Sequence, residues 1–396
     1  MKHWRKYLSI QKKEYIQSAL PIDFKADAVV VIPCFNEPAL NITLTDILEK
    51  STTEEKLLVV VVINSSVLTS ESIVEKNRQT YLRTQEFAFV NSTPSVKIVP
   101  IIVEGLPRKH AGVGLARKIG MDLAIDYFLR IDNPEGIIIS LDADCTISGN
   151  YFPNIINTFK TDKKISVVIL NFDHRVEEGD LLLERAIRQY ESYIRYFENT
   201  LKCTGFPYYY HTIGSAFAVS ADAYVQVGGM GRQQGGEDFY FLQKVFQMGS
   251  VKELPDVFVY PLARYSDRIP FGTGPALRKI IEDPENEMTV YSVDSFIVLK
   301  TLFDMKDTFF RQSEEFIQSN IGQLHPSIKD FLIEIHFVED INDCNSNSAT
   351  LVTFQKRFFH HFNAFKVIKF LNYVHPKYFE LQSLSSSLVR FSAIDW

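Results

Sequence analysis

The sequence predicts an α/β protein with a doubly wound, mostly parallel sheet and a helical C-terminal region. Short β-branched apolar runs alternate with amphipathic stretches over the first 170 residues, which is typical of parallel strands covered by helices. Beyond about residue 275, glycines are scarce and apolar residues recur at helical spacing. These changes of pattern predict an N-terminal helical arm at 1–25, a sheet domain at 26–275 and a helical domain at 276–396.

Four predicted strands alternate with helices in the first part of the chain. Apolar and amphipathic patterns place the strands at 28–32, 57–63, 97–103 and 136–141, and two helices at about 39–50 and 69–88. A third helix follows the loop at 104–114 and has on its apolar side Leu115, Ile119, Leu123 and Ile125. Each strand ends in polar residues, at 33–37, 64–66, 104–117 and 142–145. Because the carboxyl ends of parallel strands meet at one edge of a sheet, we expect these polar ends to share one crevice.

The alternating pattern continues to about residue 260. It predicts a strand at 165–170, a helix at 181–202, a strand-like segment at 205–220, helices at 221–227 and 237–248, and a strand at 251–259. A glycine-rich loop at 230–236 precedes the second of these helices. In the N-terminal arm, apolar and aromatic side chains are expected to pack on the sheet domain: Trp4, Tyr7, Leu8, Tyr15 and Ile16.

Composition excludes several classes of protein. The net charge is −6 and the chain has no long basic run, which argues against a nucleic-acid partner. The four cysteines show no Cys-x-x-Cys pairing, so neither a zinc site nor a disulfide framework is indicated. The N-terminus has no signal-like apolar core, and no apolar run is long enough to span a membrane. We therefore expect a cytoplasmic location.

Asp142 and Asp144 follow the strand at 136–141 directly. Residues i and i+2 of an extended segment face the same side, so the two carboxylates can converge on one object. They repel each other unless a cation or a proton lies between them, and Mg²⁺ is often held by one or two carboxylates together with substrate phosphates. One interpretation is a site for a metal–diphosphate. The other is a loop start in which both side chains cap the next turn.

Four motifs in this order resemble those of glycosyltransferase family 2, which has the GT-A fold. They are Val29–Glu37, Gly112–Gly120, Leu141–Asp144 and Gly228–Asp238, and the resemblance covers about residues 26–265. It implies a UDP- or GDP-linked sugar donor, a glycan or another hydroxyl acceptor, Mg²⁺ or Mn²⁺ as cofactor, and an inverting transfer. The family's processive synthases carry a Gln-x-x-Arg-Trp motif before transmembrane helices. Both are absent here, which indicates a non-processive enzyme.

The resemblance also implies where the nucleoside binds. It places the base and ribose near Pro33, Asn36 and Glu37, although Pro33 and Asn36 are also ordinary turn formers. Asn64 stands where the family usually carries an aspartate that hydrogen-bonds the base. Its amide can still pair with a pyrimidine edge, but the exchange weakens the expectation of uracil.

The diphosphate is expected beside the helix that follows the glycine loop at 104–114. Arg117 and Lys118 lie in its first turns, where a helix N-terminus and nearby cations suit phosphate groups. A solvated helix face is the alternative for both residues. By the resemblance, Asp142 lies close to the ribose and Asp144 binds the metal ion.

Asp238 is the predicted general base, because attack on the sugar requires an acceptor hydroxyl that loses its proton. It opens a helix, whose dipole is expected to keep its pKa low. Glu237 beside it is expected to hold the acceptor, and so are His211 and Gly214. The alternative is that Glu237 and Asp238 only cap their helix and that His211 is structural.

The sequence departs from the family at the end of the last predicted strand. Val259-Tyr260-Pro261 stands where related enzymes often have a third metal ligand, a histidine. Basic residues at Arg264 and Arg268, followed by a glycine-containing stretch, predict a lid over the diphosphate instead.

Two other functions and one further contact are alternatives. A sugar-phosphate nucleotidyltransferase would need a glycine-rich basic loop after the first strand, where this chain has Pro33 to Glu37. A non-catalytic protein that binds a nucleotide sugar or glycan fits the exchanged Asn64 and the missing histidine. The stretch 354–370 mixes aromatic and basic residues, which predicts either weak contact with a membrane surface or a helical core.

Overall fold

The computed structural model describes residues 1–11, 20–265, 273–283, 287–375 and 377–396. The predicted packing of Tyr15 and Ile16, and the part of the predicted lid that includes Arg268, lie outside the described residues. The chain forms two compact units. Residues 1–184 and 212–275 make up the first unit, and residues 185–211 and 276–396 make up the second.

The first unit is built on an eight-stranded sheet with the order β3-β2-β1-β4-β7-β6-β8-β5. Its strands are β1 (Ala28–Cys34), β2 (Leu57–Ser66), β3 (Val96–Leu106), β4 (Ile137–Ser140), β5 (Cys145–Ile147), β6 (Ile165–Phe172), β7 (Phe217–Ser220) and β8 (Ser250–Pro261). The pairs β1–β2, β1–β4, β2–β3 and β6–β8 are parallel. The pairs of β7 with β4 and β6, and of β5 with β8, are antiparallel. The predicted α/β class with a mostly parallel sheet is confirmed.

The first unit also contains helices. They are α1 (Lys2–Ser9), α2 (Leu40–Lys50), α3 (Glu71–Asn91), α4 (Val113–Arg130), α5 (Tyr151–Thr161), α7 (Ala221–Gln226) and α8 (Glu237–Met248), while α6 (Leu181–Cys203) and α9 (Thr273–Glu282) run from one unit into the other. The helices that lie wholly within this unit pack on the sheet, except for α1, which packs on α4 and α7. The side chains of β1 and β2 are nearly all buried, as expected for β-branched strands covered on both faces. Helix α4 is buried along most of its length and packs against β1 and β2. It therefore holds its first turn rigidly at the carboxyl ends of those strands.

One predicted element needs correction, and two elements were not predicted. The segment 205–220 is not a strand throughout, because only Phe217–Ser220 pairs, antiparallel to β4 and β6. Gly205 has a φ of +80°, and this left-handed conformation turns the chain there instead of extending it. Helix α5 and the short strand β5 were not predicted from the sequence.

Helix α1 is anchored on the first unit by polar side chains. Trp4 and Tyr7 are buried and Leu8 is half-buried. Trp4 donates a hydrogen bond to Asp222 at 3.0 Å, and Tyr7 donates one to Asp122 at 2.6 Å. Lys118 completes this cluster with a 2.9 Å ion pair to Asp122. Its ammonium is thus bonded within the cluster that anchors α1, and Lys118 does not lie on a solvated helix face. Its contact with a diphosphate stays a prediction.

The second unit is helical, which confirms the prediction for the C-terminal region. It contains α10 (Val293–Met305), α11 (Glu314–Gly322), α12 (Pro326–Glu334), α13 (Phe337–Ser346), α14 (Leu351–His361), α15 (Ala364–Val374) and α16 (Leu384–Ser392), with a small antiparallel pair of β9 (Thr289–Val290) and β10 (Gln382–Ser383). Across the described residues, no helix is both long and apolar enough to cross a membrane.

The aromatic residues of the stretch 354–370 form part of the core of this helical unit. Phe354, Phe358, Phe362 and Phe370 are buried. The ring of Phe358 lies 5.9 Å from that of Phe337, measured between centroids. A core explains most of the aromatic spacing, and Phe365, which is 38% exposed, is the exception. Contact with a membrane surface stays a prediction. Flotation with anionic vesicles tests for such contact.

Candidate functional site

Carboxyl groups and two arginines gather where the strands of the first unit end. Asp142 and Asp144 lie just beyond β4, and Glu37 lies just beyond β1. Glu237 and Asp238 begin α8, which comes much later in the sequence than β1 and β4. Asp144 and Glu37 are bonded to Arg264, and Asp142 and Glu237 to Arg117. The structure thus brings together most of the site residues that the sequence predicted.

Arg117, in the first turns of α4, joins two parts of this site. Its side chain is 2% exposed, and Nη2 bonds to Asp142 Oδ1 at 2.7 Å while Nη1 bonds to Glu237 Oε1. Burial lowers the pKa of Arg117, but the nearby Asp142 and Glu237 raise it by more, so the guanidinium stays charged. Both terminal nitrogens are therefore committed to carboxylates in this structure. The predicted contact of Arg117 with a diphosphate remains a prediction.

Gly214 makes room for this guanidinium. A Cβ atom at this position would lie 2.8 Å from Arg117 Nη2, a separation that side chains do not tolerate. The Gly214 carbonyl also accepts a 2.6 Å hydrogen bond from Ser140 Oγ at the end of β4. Gly214 is thus part of the site, on the side of Arg117. The predicted role of Gly214 in acceptor binding stays a prediction.

Gly114 allows the loop before α8 to lie directly on the start of α4. A Cβ atom there would be 2.3 Å from the Gln233 carbonyl oxygen and 2.8 Å from Glu237 Cγ. We expect Gly114→Ala to push Glu237 and Asp238 out of position. Because a displacement of about 1 Å can reduce the rate about 10²-fold, turnover should fall by that order.

Gly112→Ala is the matched control for this substitution. Its nearest new contact is 3.4 Å, to Gln234 Cα, which is ordinary van der Waals distance. Turnover of the two variants with the same donor and acceptor is the measurement. Equal turnover would show that the Gly114 contact does not position the carboxylates.

Arg264, just beyond β8, bridges two carboxylates through a single nitrogen. Its Nη2 lies 2.6 Å from Glu37 Oε2 and 2.7 Å from Asp144 Oδ2. Glu37 also accepts a 3.0 Å hydrogen bond from the Ala39 amide through its other oxygen. Arg264 therefore follows the strand after which related enzymes often have a metal-binding histidine. Its guanidinium is itself a cation and does not bind a metal ion.

Arg175 is a site residue that the sequence did not identify. Its Nη2 donates a 2.8 Å hydrogen bond to the main-chain carbonyl of Asp144, and its backbone bridges to Leu262 beside the end of β8. It fixes the backbone of the Asp-x-Asp turn. No local pattern marks this residue, because its partner lies 31 positions away along the chain.

The Asp144 carboxyl is the most perturbed group of the strand-end pair. Burial raises its pKa to about 6, and the charge of Asp142 adds to this increase, while Arg264 opposes it. Its side chain is 15% exposed. At neutral pH the Asp144 carboxyl is therefore mostly ionised and is paired with Arg264.

The raised pKa makes a prediction about stability. A folded-state pKa above the unfolded value favours the fold at low pH, and this contribution is lost as the pH rises from about 4 to about 6. We therefore expect Asp144→Asn to stabilise the metal-free protein above pH 6, by at most about 3 kcal/mol. The gain should shrink as the pH falls towards 4. Melting temperatures in a chelating buffer across this range measure it.

Asp142→Asn serves as the control with the opposite sign. Asp142 is bonded to buried Arg117, so its neutralisation should lower the melting temperature at neutral pH. If both substitutions destabilised the protein equally, the pKa argument for Asp144 would be wrong. We also expect Asp144→Asn to lose metal-dependent donor binding.

Glu237 and Asp238 differ in their surroundings, although they are adjacent. Glu237 is 2% exposed and bonded to Arg117, whereas Asp238 is half-buried and its Oδ1 accepts a 2.8 Å hydrogen bond from the Phe239 amide. Burial raises the pKa of both carboxyls, and Arg117 opposes this increase. The expectation that the helix dipole keeps the Asp238 pKa low is therefore wrong, because desolvation outweighs it.

The region where the nucleoside is predicted to bind contains a chain of hydrogen bonds between amide groups. Asn36 N donates to Asn77 Oδ1 at 2.9 Å, Asn77 Nδ2 donates to the Asn64 carbonyl at 3.2 Å, and Asn64 Nδ2 donates to the Gly112 carbonyl at 3.2 Å. Pro33 lies within β1 and is buried. The sequence did not point to Asn77. This polar residue of α3 is only 1% exposed, and that burial is known only from the structure. Contacts of Pro33, Asn36 and Asn64 with a base remain predictions.

His211 belongs to the second compact unit. Its backbone amide donates a 3.0 Å hydrogen bond to Glu198 Oε1 of α6. The predicted acceptor role of His211 is neither supported nor opposed by this contact.

The residues at the strand ends suit a hard divalent cation in type but do not form a complete set of ligands. Carboxylate oxygens are the donors that Mg²⁺ and Mn²⁺ prefer, and four carboxyl groups here share two guanidiniums. Among the described residues, however, no three His, Cys, Asp or Glu side chains are arranged to hold a metal ion. Oxygens from water or from another bound group would complete the coordination.

Comparisons with known proteins give a family and distant structural likenesses. The family model described as glycosyl transferase family 2 matches residues 29–225. No curated protein matches the sequence. Among solved structures, S. aureus TarS 1-349 is similar with 12% identity and a TM-score of 0.38, over 84% of this chain and 90% of that one.

Two further structures show likenesses of the same order. TarS 1-349 in complex with UDP-GlcNAc gives 13% identity and a TM-score of 0.41 over 84% of this chain and 90% of that chain. GalNAc-T7 with UDP, GalNAc and Mn²⁺ gives 16% identity and a TM-score of 0.38 over 71% of this chain and 51% of that chain. TM-scores this low carry no activity or ligand over to this chain.

Proposed function

Through residues 29–225 the chain belongs to glycosyltransferase family 2, and on that premise we propose that it transfers a sugar from a UDP- or GDP-linked donor to a hydroxyl group of a glycan or another acceptor. One observation carries the proposal: buried Arg117 bonds both Asp142 and Glu237. A strand-end carboxylate, at the edge where open α/β sheets bind nucleotides, is thereby joined to the helix that carries Asp238. The residues that would contact the donor and the acceptor thus lie next to each other.

On the donor side, Asp142 would contact the ribose, and Asp142 and Asp144 would hold Mg²⁺ or Mn²⁺. The bound ion would stabilise the charge that develops on the leaving diphosphate. The charged side chains around Asp142 and Asp144 support a role for such an ion. Among the described residues, four carboxyl groups are paired with the guanidiniums of Arg117 and Arg264, and Arg175 also lies beside Asp144. Positive charge that entered with an anionic diphosphate would reduce its repulsion from these carboxylates.

On the acceptor side, Asp238 would accept the proton of the attacking hydroxyl. The acceptor oxygen then forms a bond to the anomeric carbon while the bond from that carbon to the diphosphate oxygen breaks. A single displacement of this kind inverts the anomeric configuration. The raised pKa of Asp238 suits this role, because a base works best when its pKa approaches the working pH. Without the processive motif, we propose one transfer per binding event.

The direct test is incubation with Mn²⁺ and a panel of UDP- and GDP-sugars, with release of the nucleoside diphosphate as readout. We expect release with at least one donor and its loss in Asp238→Asn. Nuclear magnetic resonance of the product then identifies the anomeric configuration. Retention of configuration would contradict the base role of Asp238.

A non-catalytic nucleotide-sugar binder is the second candidate, favoured by Asn64 in place of the family's aspartate and by Arg264 on Asp144. Donor binding without release of nucleotide, unchanged in Asp238→Asn, would support it. A sugar-phosphate nucleotidyltransferase would instead release pyrophosphate from a nucleoside triphosphate and a sugar phosphate. We expect no such release.

A further inference from the structure

Arg264 occupies a position in the site that a metal ion would also need. Its Nη2 lies within 2.7 Å of oxygens from both Glu37 and Asp144. The Arg264 side chain is 29% exposed, whereas those of Glu37 and Asp144 are 3% and 15% exposed. The guanidinium therefore reaches two buried carboxylates from the solvent side. It can leave them without opening the core.

We propose that Arg264 exchanges places with the divalent cation, so that the cation binds tightly only together with a nucleoside diphosphate. This inference rests on the proposed function, whose donor supplies the diphosphate. Without donor, Arg264 is the counter-ion of Asp144 and Glu37. With donor, Arg264 releases Asp144 and turns to the diphosphate.

Electrostatics favour the exchange. A divalent ion bonds carboxylate oxygen at about 2.1 Å, and a guanidinium nitrogen 2.7 Å from the same Asp144 oxygen would then lie within a few ångströms of that ion. Two cations so close repel strongly in a partly buried site. Binding of the cation to this oxygen of Asp144 therefore favours displacement of Arg264. In the absence of another partner, the displaced guanidinium loses two charge-assisted hydrogen bonds.

A diphosphate removes this penalty. A planar guanidinium matches phosphate oxygens with paired hydrogen bonds, so the displaced Arg264 gains a new anionic partner. The diphosphate also offers oxygens to the cation, which the described side chains alone do not coordinate fully. Arg264 lies beyond the end of β8 and outside regular secondary structure. Movement of its side chain therefore breaks no strand or helix hydrogen bond.

The exchange couples two binding events in both directions. If the nucleotide raises the affinity for the cation, the cation raises the affinity for the nucleotide by the same factor. Couplings of this kind are typically about 5–150-fold. Loss of Arg264 should reduce the coupling, because the cation then has no resident guanidinium to displace.

The test is Mn²⁺ binding followed by electron paramagnetic resonance, which reports free Mn²⁺ and needs no turnover. Wild type, Arg264→Gln and Arg264→Lys are titrated alone, with UDP and with GDP, and a titration without protein corrects for Mn²⁺ bound by nucleotide in solution. Wild type should bind Mn²⁺ weakly alone and about 5–150-fold more tightly with the preferred nucleotide. Arg264→Gln alone should bind Mn²⁺ at least about tenfold more tightly than wild type alone. Arg264→Lys should resemble wild type more closely, because it keeps the charge.

Three results would overturn the exchange. They are equal Mn²⁺ affinity of wild type and Arg264→Gln, weaker binding by Arg264→Gln, and no Mn²⁺ binding by any variant with either nucleotide. Arg78→Gln is the control, because Arg78 pairs with Glu104 at the surface and should bind Mn²⁺ like wild type. If no donor in the panel is cleaved, the proposed function fails, but the Mn²⁺ titrations still decide the exchange.

Discussion

We expect Asp238→Asn to lower turnover by about 10²–10⁴-fold, the usual contribution of general-base catalysis, while donor affinity stays near that of wild type. Asparagine keeps the shape of the side chain and can still accept the hydrogen bond from the Phe239 amide, so the start of α8 should not move. It cannot accept the proton of an acceptor hydroxyl. Donor contacts are predicted at Asp142, Asp144 and Arg117, which the substitution leaves intact.

Burial makes this effect dependent on pH. Because burial raises the pKa of Asp238, the ionised base forms at a higher pH than for an exposed aspartate, and wild-type activity should rise with pH through that range. Steady-state kinetics across pH, together with donor affinity from calorimetry, measure both features. Near-normal turnover, or loss of donor binding together with turnover, would contradict the assignment. A retaining mechanism would then be the alternative to consider.

Arg117→Met should produce the largest loss of stability among single substitutions in the site. It removes the shared partner of Asp142 and Glu237 and leaves an uncompensated charge beside a Glu237 side chain that is 2% exposed. Loss of one partner from a buried pair typically destabilises a protein by about 3–5 kcal/mol. Urea denaturation of the metal-free protein, followed by circular dichroism, measures the change.

Arg78→Met is the matched control for charge removal. Arg78 is paired with Glu104, but its side chain is 55% exposed, so little change in stability is expected. Glu237→Gln combined with Arg117→Met should recover part of the loss, because the unpaired buried charge at Glu237 is then gone. If Arg117→Met were as stable as Arg78→Met, the buried bridge would have no role in holding the site together.

The effect that a substitution of Arg117 has on protein stability also bears on the function of this residue. A residue that binds only the diphosphate would alter donor affinity and leave unfolding unchanged. A residue that positions Asp142 and Glu237 would alter unfolding and turnover together. Measuring both in the conservative variant Arg117→Lys separates these roles, because lysine keeps the charge but cannot bond two carboxylates with a planar fork.

The sequence by itself determined the features that depend on local pattern. The β-branched runs of β1, β2 and β4 predicted buried strands, because only such side chains suit a strand covered on both faces. The same reasoning placed Asp142 and Asp144 beyond β4 and Asp238 at the start of α8, where the structure has them. Helical spacing beyond residue 275 predicted the helical region.

Only the tertiary structure decided which charges meet. Arg117 and Glu237 are 120 positions apart in sequence, and Arg264 reaches Glu37 and Asp144 from beyond the last strand of the sheet. Such pairs depend on how strand ends converge, which no local pattern encodes. The sign of the Asp238 pKa shift was likewise decided by burial. A helix dipole can be read from a sequence, whereas the desolvation that outweighs it exists only once the chain has folded around the carboxylate.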